Sequence, residues 1–496
     1  MSLPEGDGAD RLAERTQVQL GPDPSRVVSQ LFVAGEEFAS GASRTSAVAR
    51  RVLDLDDDAV DAELARVLRH FQGRHAHLAA DLVAHFNQIN QSSDDTSDFS
   101  VARRMLLGAY ATSEYAVESA ALCNPSIVAH PTQADVAAGA LRVVLSLRAV
   151  GEGHVSSIEF RTGVLDEDGD IHVEDPGRMA VAGRVEPGPY DRDAFASLLA
   201  VAGDDPEVAS AVLGRLPATF TRAELAVSMA ELSARALQRS SVRDLVDRIR
   251  TVADANYTAS FPEDTSLAQR VLRPGGPTES HGMEDARFVR FVDDDASVTY
   301  FATYTAFDGS QVSPRLLATD DFRTFITSQL TGRAATNKGM ALFPRRINGR
   351  YVALSRWDRE SNAITTSADA HAWDEGTEIQ HPRLPWELVQ VGNCGSPMET
   401  AEGWLVITHG VGPMRTYSLG AMLLERDDPR VMRGQLTEPL LEPISSERDG
   451  YVPNVVYSCG SIVHGDWLVL PYAYGDRTTT FARVPLAKLL RSILSA

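Results

Sequence analysis

Apolar positions along this chain change their period more than once, and each change marks a different architecture. DDDAVDAELARVLRHF, residues 56–71, sets Val60, Leu64, Val67, Leu68 and Phe71 on one helical stripe. Its aspartates stand at the N-terminal end, where the helix dipole favours negative charge. Residues 74–91 and 101–120 predict two more helices, with QSSDDTSD, 91–98, as a loop. Residues 1–25, rich in Gly, Pro and Asp, predict a frayed end. Near residue 121 the texture shifts, and LRVVLSLRA, 141–149, is a β-branched run with no helical period. Helix then returns. FTRAELAVSMAELSARALQ carries Thr221 and Glu224 at capping-box spacing, and SSVRDLVDRIRTVADA, 240–255, is another helix. From about 256 to 490 the pattern is strand and turn.

Within that last region a motif recurs. VTYFATYT from 298, RYVALSR from 350, WLVITHG from 404 and WLVLPYAYGD from 467 are each short strand-like runs closing on a polar or aromatic residue. Their starts are 52, 54 and 63 residues apart. LRVVLSLR from 141 is a fifth, 157 residues before the second, and a helical insertion accounts for the excess. A period near 50 with several strands per repeat predicts a β-propeller, here of five blades. A β-sandwich with irregular loops is the other architecture the pattern allows. The expected layout is a helical N-terminal extension (1–120), a mainly helical insertion (164–255) and a mainly β, five-bladed propeller (121–163 and 256–496). In a propeller the inner strands surround one channel. Arg148, Tyr304, Arg356, His409, and Tyr474 with Asp476 close the five runs, so they would meet at one funnel.

Composition narrows the function. Hydrophobic residues at 43% and charged residues at 23% suit a globular chain with a full core. The net charge of −21 argues against nucleic acid and against an anionic membrane as partners. No run approaches the length of a membrane span, and the polar, acidic start does not look like a secretory signal. Cys123, Cys394 and Cys459 are too few and too scattered for a disulfide framework or a zinc site, so a cytoplasmic location is expected. In so acidic a chain, basic residues gathered at successive strand ends predict an anion site.

ESHGMEDARFV, 279–289, places Glu284 and Asp285 between a glycine and Arg287. Taken alone it reads equally as a charged turn or as an enzyme's acid. The stretch Gly282-Met283-Glu284-Asp285-Ala286-Arg287 resembles the signature of glycoside hydrolase family 130, the mannoside phosphorylases and related β-mannosidases. CNPSIV (123–128), NKGMALFPRRINGRYVALSR (337–356), GSPMETAEGWLVITHGV (395–411), and DGYVPNVVYSCG (449–460) with YAYGD (472–476) resemble other stretches of that family, in order.

The resemblance implies a five-bladed propeller acting on β-linked mannose. It implies Asp285 as the catalytic acid, protonating the glycosidic oxygen through the mannose 3-hydroxyl. Inorganic phosphate then attacks the anomeric carbon from the opposite face and yields α-mannose 1-phosphate. Phosphate is already an anionic nucleophile, so a cationic cradle replaces the second carboxylate that inverting hydrolases use. Arg148, Lys338, Arg356 and His409 are the candidates for that cradle. Glu284, Arg287, Asn124, Tyr304, Asp308, Asn454 and Asp476 are candidates for holding the sugar, and Trp357 and Trp386 for stacking on it. No metal or cofactor is required; phosphate is the co-substrate and a β-mannoside oligosaccharide the substrate.

Two departures from the family pattern bear on the reaction. Ala286 replaces the usual proline beside the acid, and ELVQVGNCGSP, 387–397, lacks a family lysine. A weaker phosphate site would favour water and a β-mannosidase, with Glu399 or the acidic residues around Glu447–Asp449 as bases. A non-catalytic glycan-binding propeller is the third reading. The insertion is expected to narrow the funnel or to make a subunit contact, and a homo-oligomer through the helical segments is allowed for.

Overall fold

A computed structural model describes residues 12–33, 44–90, 99–201, 210, 212–236 and 240–495. The architecture is mainly β. Each of the five recurrent runs is a strand with antiparallel partners on both sides. In the first sheet Leu141–Val150 lies between Ala121–Ala129 and Ser156–Leu165. In the second, Val298–Phe307 lies between Gly282–Val292 and Val312–Thr319. Tyr351–Ser355 lies between Ala341–Leu342 and Asn362–Ser367 in the third. Gly403–Val411 in the fourth pairs with Gln390–Asn393 and Met398–Thr400 on one side and Tyr417–Leu424 on the other. Trp467–Tyr474 in the fifth pairs with Val456–Tyr457, Ile462–His464 and Thr478–Pro485. A parallel pair, Gly282 with Ser156, joins the first two sheets.

These strands are apolar on both faces because each sheet is packed between two others. Phe160 of the first sheet packs with Phe288, Phe322 and Phe325 of the second. Val289 and Leu316 pack against Leu342 and Ala353 of the third. Leu354 and Ile364 meet Trp404 and Val406 of the fourth. Leu405 and Ile407 meet Leu468 and Leu470 of the fifth. Val469 and Phe481 of the fifth then pack on Ile127, Val143 and Leu145 of the first. The packing order is therefore cyclic.

The N-terminal region departs from expectation. Helices form at Arg44–Leu53, Asp57–Phe71, Leu78–Ile89 and Val101–Tyr110, with Asp56 capping the second by accepting from the Ala59 N–H. Of the end expected to fray, residues 1–11 lie outside the described residues, as does the loop at 91–98. Glu14–Leu20 is a strand on the outer edge of the fifth sheet, antiparallel to Thr478–Pro485. The helix expected over 101–120 stops at Tyr110. Thr112–Ala116 pairs instead with Val27–Leu31, and Tyr115 there is buried. Thr and Tyr fit a half-buried pleated surface better than a helix. The region is anchored by a buried charge quartet: Arg26 and Arg161 each pair with both Glu118 and Glu159.

The insertion also begins later than expected. Ser156–Leu165, Ile171–Val173 and Arg184–Pro187 are strands, and helix starts at Arg192. Thr221 and Glu224 make the reciprocal cap before the helix Arg222–Ala236. Helix Ser240–Asp254 follows. These helices share their own core, centred on Phe195, Leu199, Phe220 and Ile249. Gly188, Pro189 and Leu198 border an apolar groove shared with Ile326 and Thr327 of strand Thr324–Gln329 in the second sheet.

Candidate active site

Inner-strand ends from all five sheets converge on one cavity of about 320 Å³. Asn124 and Arg148 come from the first sheet, Asp285 from the second, and Asn337, Lys338, Arg356 and Arg359 from the third. Gln390, His409, Arg415 and Tyr417 come from the fourth, and Val452, Val455, Tyr457 and Asp476 from the fifth.

Two β-bulges aim the acid side of this cavity. Pairing skips from Glu284 to Arg287, so Asp285 and Ala286 together oppose one residue, Tyr304. Pairing likewise skips from Cys123 to Ser126, so Asn124 and Pro125 oppose Leu147. Asp285 and Asn124 adopt left-handed φ of 57° and 49°, a region that Asn and Asp enter more readily than most residues. A bulge re-aims a side chain that the pleat would otherwise direct elsewhere. Here the two bulges turn their polar side chains toward each other, and Asn124 Nδ2 donates to Asp285 Oδ1.

Glu284 does something different from its neighbour. Its Oε1 accepts from Arg148 Nη2 at 2.6 Å and its Oε2 accepts from Lys338 Nζ at 2.7 Å. One buried carboxylate thus holds two cations in place and is itself absent from the cavity wall. Arg148 Nε donates to Ser156 Oγ at 2.8 Å. Arg287 is buried below: its guanidinium donates to the Asp285 carbonyl at 3.1 Å and to the Tyr457 hydroxyl at 2.9 Å. Burial alone would raise the Asp285 pKa. The charges of Lys338, Arg148 and Arg287, with the Asn124 hydrogen bond, outweigh it and hold the carboxyl below its usual range. Asp476 goes the other way. Burial pushes it up to about 6, against the pull of Arg148.

The third sheet also brings a cation with no ion pair to the cavity. Arg356 is buried, makes no ion pair among the described residues, and has an Nε without a partner. Its contact with the protein is through Nη2, which donates to the Arg359 carbonyl at 3.1 Å. The side chain passes beside Gly392, where an added Cβ would lie 2.5 Å from Arg356 Nε and 2.6 Å from His409 Cε1. Gly392→Ala is therefore expected to displace both groups, and a shift of about 1 Å at a reacting centre lowers kcat/KM by roughly 10²-fold. Steady-state kinetics on the folded variant checks it. His409 is fully buried. Burial, with the Arg356 and Arg287 charges, depresses its pKa well below the usual value, so the ring is neutral. Cys394 Sγ lies 3.6 Å from Nδ1, and burial pushes that thiol up to about 12. Nδ1 is the ring nitrogen beside the thiol, and Nε2 has no partner within the protein.

Of the residues singled out from sequence, Asn124, Arg148, Asp285, Lys338, Arg356, His409 and Asp476 line the cavity. Glu284 and Arg287 stand directly behind it. Asn454, at φ 59°, is beside its wall, with its carbonyl accepting from the Tyr417 N–H at 3.0 Å. Tyr304 and Asp308 are not brought in. The Tyr304 hydroxyl donates to buried Glu279, which also accepts from Tyr257. Asp308 Oδ1 closes a turn by accepting from the Ser310 and Gln311 N–H groups. Neither Trp357 nor Trp386 lines the cavity. The Trp386 indole donates to the Thr437 carbonyl. Among proposed bases, Glu399 pairs with Arg345, and Glu447 pairs with Arg15 and accepts from Tyr472. No described residue of 164–255 lines the cavity. Arg359, Gln390, Arg415, Tyr417 and Tyr457 were not anticipated. Gln390 falls in the segment that lacks the lysine. Arg359 and Arg415 sit in ordinary polar turns that carry no periodic signal.

Comparison with known proteins identifies the strand-rich region. Residues 256–494 match the model of glycoside hydrolase family 130, described as beta-1,4-mannooligosaccharide phosphorylase. A 1,2-beta-oligomannan phosphorylase of Thermoanaerobacter sp. (strain X514) is 37% identical over 210 residues, which are 40% of this chain and 66% of that protein. A beta-1,2-mannobiose phosphorylase of Listeria innocua is 30% identical over 229 residues, 45% of this chain and 63% of that one. The chain thus spans a little under two thirds of the length of these curated relatives. The solved structure of a Listeria innocua beta-1,2-mannobiose phosphorylase in complex with beta-1,2-mannobiose superposes with a TM-score of 0.46 at 20% identity, over 77% of this chain and 94% of that one. Residues 256–494, a little under half of the chain, thus match glycoside hydrolase family 130.

Proposed function

We propose that this chain cleaves β-mannosides by inverting phosphorolysis, releasing α-mannose 1-phosphate and the leaving sugar. The observation that carries the reading is the division of the cavity. A carboxyl that can serve as acid stands on the bulges of the first two sheets, and an unpaired arginine with a neutral histidine donor stands on the third and fourth. Inversion needs the proton donor and the nucleophile on opposite faces of the sugar ring. The scaffold is read as a five-bladed propeller, supported by five antiparallel sheets in cyclic packing order.

In this mechanism a proton from Asp285 reaches the glycosidic oxygen by way of the mannose 3-hydroxyl, while a phosphate oxygen bonds to the anomeric carbon as the bond to the leaving oxygen breaks. Asn124 orients the Asp285 carboxyl. Arg356 offers phosphate a planar fork, and His409 offers a neutral N–H. Asp476 holds a mannose hydroxyl. Glu284 positions Arg148 and Lys338, which face Asp285 as much as they face any anion.

The cations around Asp285 favour its ionised form, so a proton donor there needs its surroundings made less positive. Bound phosphate does this by offsetting the local cations. An acid works below its pKa and fails as pH rises through it. Lys338→Gln removes the foremost of the cations that hold Asp285 down. The high-pH limb of kcat is therefore expected to move to higher pH in that variant. A limb that stays put or moves down in a pH–rate profile refutes the assignment of Asp285 as acid.

Asp476 gives hydrolysis a specific foothold, since it is a second carboxyl in the same cavity and is ionised at neutral pH. One assay divides the readings. Short β-1,2- and β-1,4-mannosides are incubated with and without phosphate. Mannose 1-phosphate formed only with phosphate supports phosphorolysis; free mannose released at equal rates in both overturns it in favour of a hydrolase.

A further inference from the structure

The geometry points to Arg359 and Arg415 as the outer wall of the phosphate seat, completing a three-arginine clamp with Arg356. This deepens the phosphorolytic reading and rests on it. Both residues line the cavity, and both are exposed at its mouth. Among the described residues neither makes an ion pair. That sets them apart from Arg148 and Lys338, which line the same cavity but are held by Glu284. In a chain of net charge −21, cations that make no ion pair around one cavity are a local exception to the overall field, and Arg415 lends its charge there to Asp476.

Their backbones are fixed in advance. Arg359 adopts φ 76° in a turn where its N–H donates to the Arg356 carbonyl at 3.0 Å and Arg356 Nη2 donates back to the Arg359 carbonyl at 3.1 Å. Asp358 Oδ1 accepts from the N–H groups of Glu360 and Ser361, and the Val391 N–H donates to the Glu360 carbonyl, tying the turn to the strand that carries Gln390. The two guanidinium groups thus come from one closed turn. Arg415 projects from the turn that follows the His409 strand. There Met414 and Arg415 both adopt left-handed φ, 57° and 55°, and the Gly412 N–H closes the turn onto the Thr416 carbonyl at 2.9 Å. A non-glycine residue held at positive φ is strained, and such strain gathers at ligand clamps because the turn is set before the ligand arrives. Arg356 is buried, and Arg359 and Arg415 are exposed. This placement suits a compact polyanion better than a neutral sugar. It also supplies charge on the sheet where Gln390 brings an amide and no charge.

The test uses the full chain. Arg359→Gln and Arg415→Gln remove charge at exposed positions with no structural ion pair, so the variants are expected to fold as the parent does. Initial rates are measured with phosphate and mannoside varied independently. Each variant is expected to raise KM for phosphate about 10- to 100-fold, the loss typical of a charge-assisted hydrogen bond, and the double variant more. KM for the mannoside stays within about twofold, and Arg→Lys recovers part of the loss. Thermal midpoints with and without inorganic phosphate give a second readout that needs no turnover: phosphate stabilises the parent, and its effect shrinks in the double variant. Unchanged phosphate KM and unchanged phosphate stabilisation in the double variant overturn the clamp while leaving phosphorolysis standing. Phosphate-independent release of mannose by the parent would instead sink phosphorolysis, and the stabilisation experiment still decides whether these arginines bind the anion.

Discussion

Asp285→Asn is expected to lower turnover of β-mannosides by on the order of 10²–10⁴-fold, the contribution of a positioned general acid. The substitution is close to isosteric, and Asn tolerates the left-handed backbone at this bulge as Asp does. The amide oxygen of the variant can still accept from Asn124. The proton supply is what disappears. Removing this carboxylate also leaves Arg148, Lys338 and Arg287 facing less negative charge, so the variant is expected to bind phosphate more tightly than the parent. Rates and phosphate titration calorimetry on one preparation test both halves. Loss of turnover with tighter phosphate binding separates a missing acid from a collapsed site, in which both would be lost.

Arg356→Gln is expected to raise KM for phosphate by about 10²-fold, within the loss of roughly 2–5 kcal/mol seen when one partner of a buried charge pair is truncated. Arg356→Lys keeps the charge but not the fork, and intermediate behaviour is expected. Stability should respond in the opposite sense. A buried guanidinium with an unpartnered Nε and no carboxylate weakens the fold while phosphate is absent. The thermal midpoint of the phosphate-free Arg356→Gln variant is therefore expected to equal or exceed that of the parent. A large drop in a melting experiment would mean that Arg356 is a structural residue after all.

The strand repeats and the gathering of their closing residues were legible in the sequence, because five buried strands of similar length leave a regular apolar trace. Arg148, Arg356, His409 and Asp476 could be placed near one another from that trace alone, across more than 300 positions. Four things were not legible. Tyr304 closes its run as the others do, but the bulge at Asp285 and Ala286 lies opposite it and its hydroxyl goes to Glu279 instead of the cavity. Glu284 reads from sequence as a sugar ligand or as a residue that orients a neighbour; which neighbours it holds, Arg148 and Lys338, depends on residues 136 and 54 positions away. Arg359 and Arg415 lie in turns whose direction is set by left-handed backbone angles, which no hydrophobic period reports. Likewise, Glu14–Leu20 is a polar-rich edge strand whose pairing is supplied from the far end of the chain.

That edge strand sets an order of events. The Thr480 hydroxyl donates to the Val18 carbonyl across 462 positions. During synthesis, the Glu14–Leu20 segment must therefore wait for a strand made 462 positions later. Contacts of such long sequence separation form late and slowly, because loop closure precedes any gain from pairing. Until then the fifth sheet has no outer edge, and Val469 and Phe481 are not there to cover Ile127, Val143 and Leu145 of the first. The cavity, which draws residues from every sheet, is complete only once the fifth sheet has packed against the first.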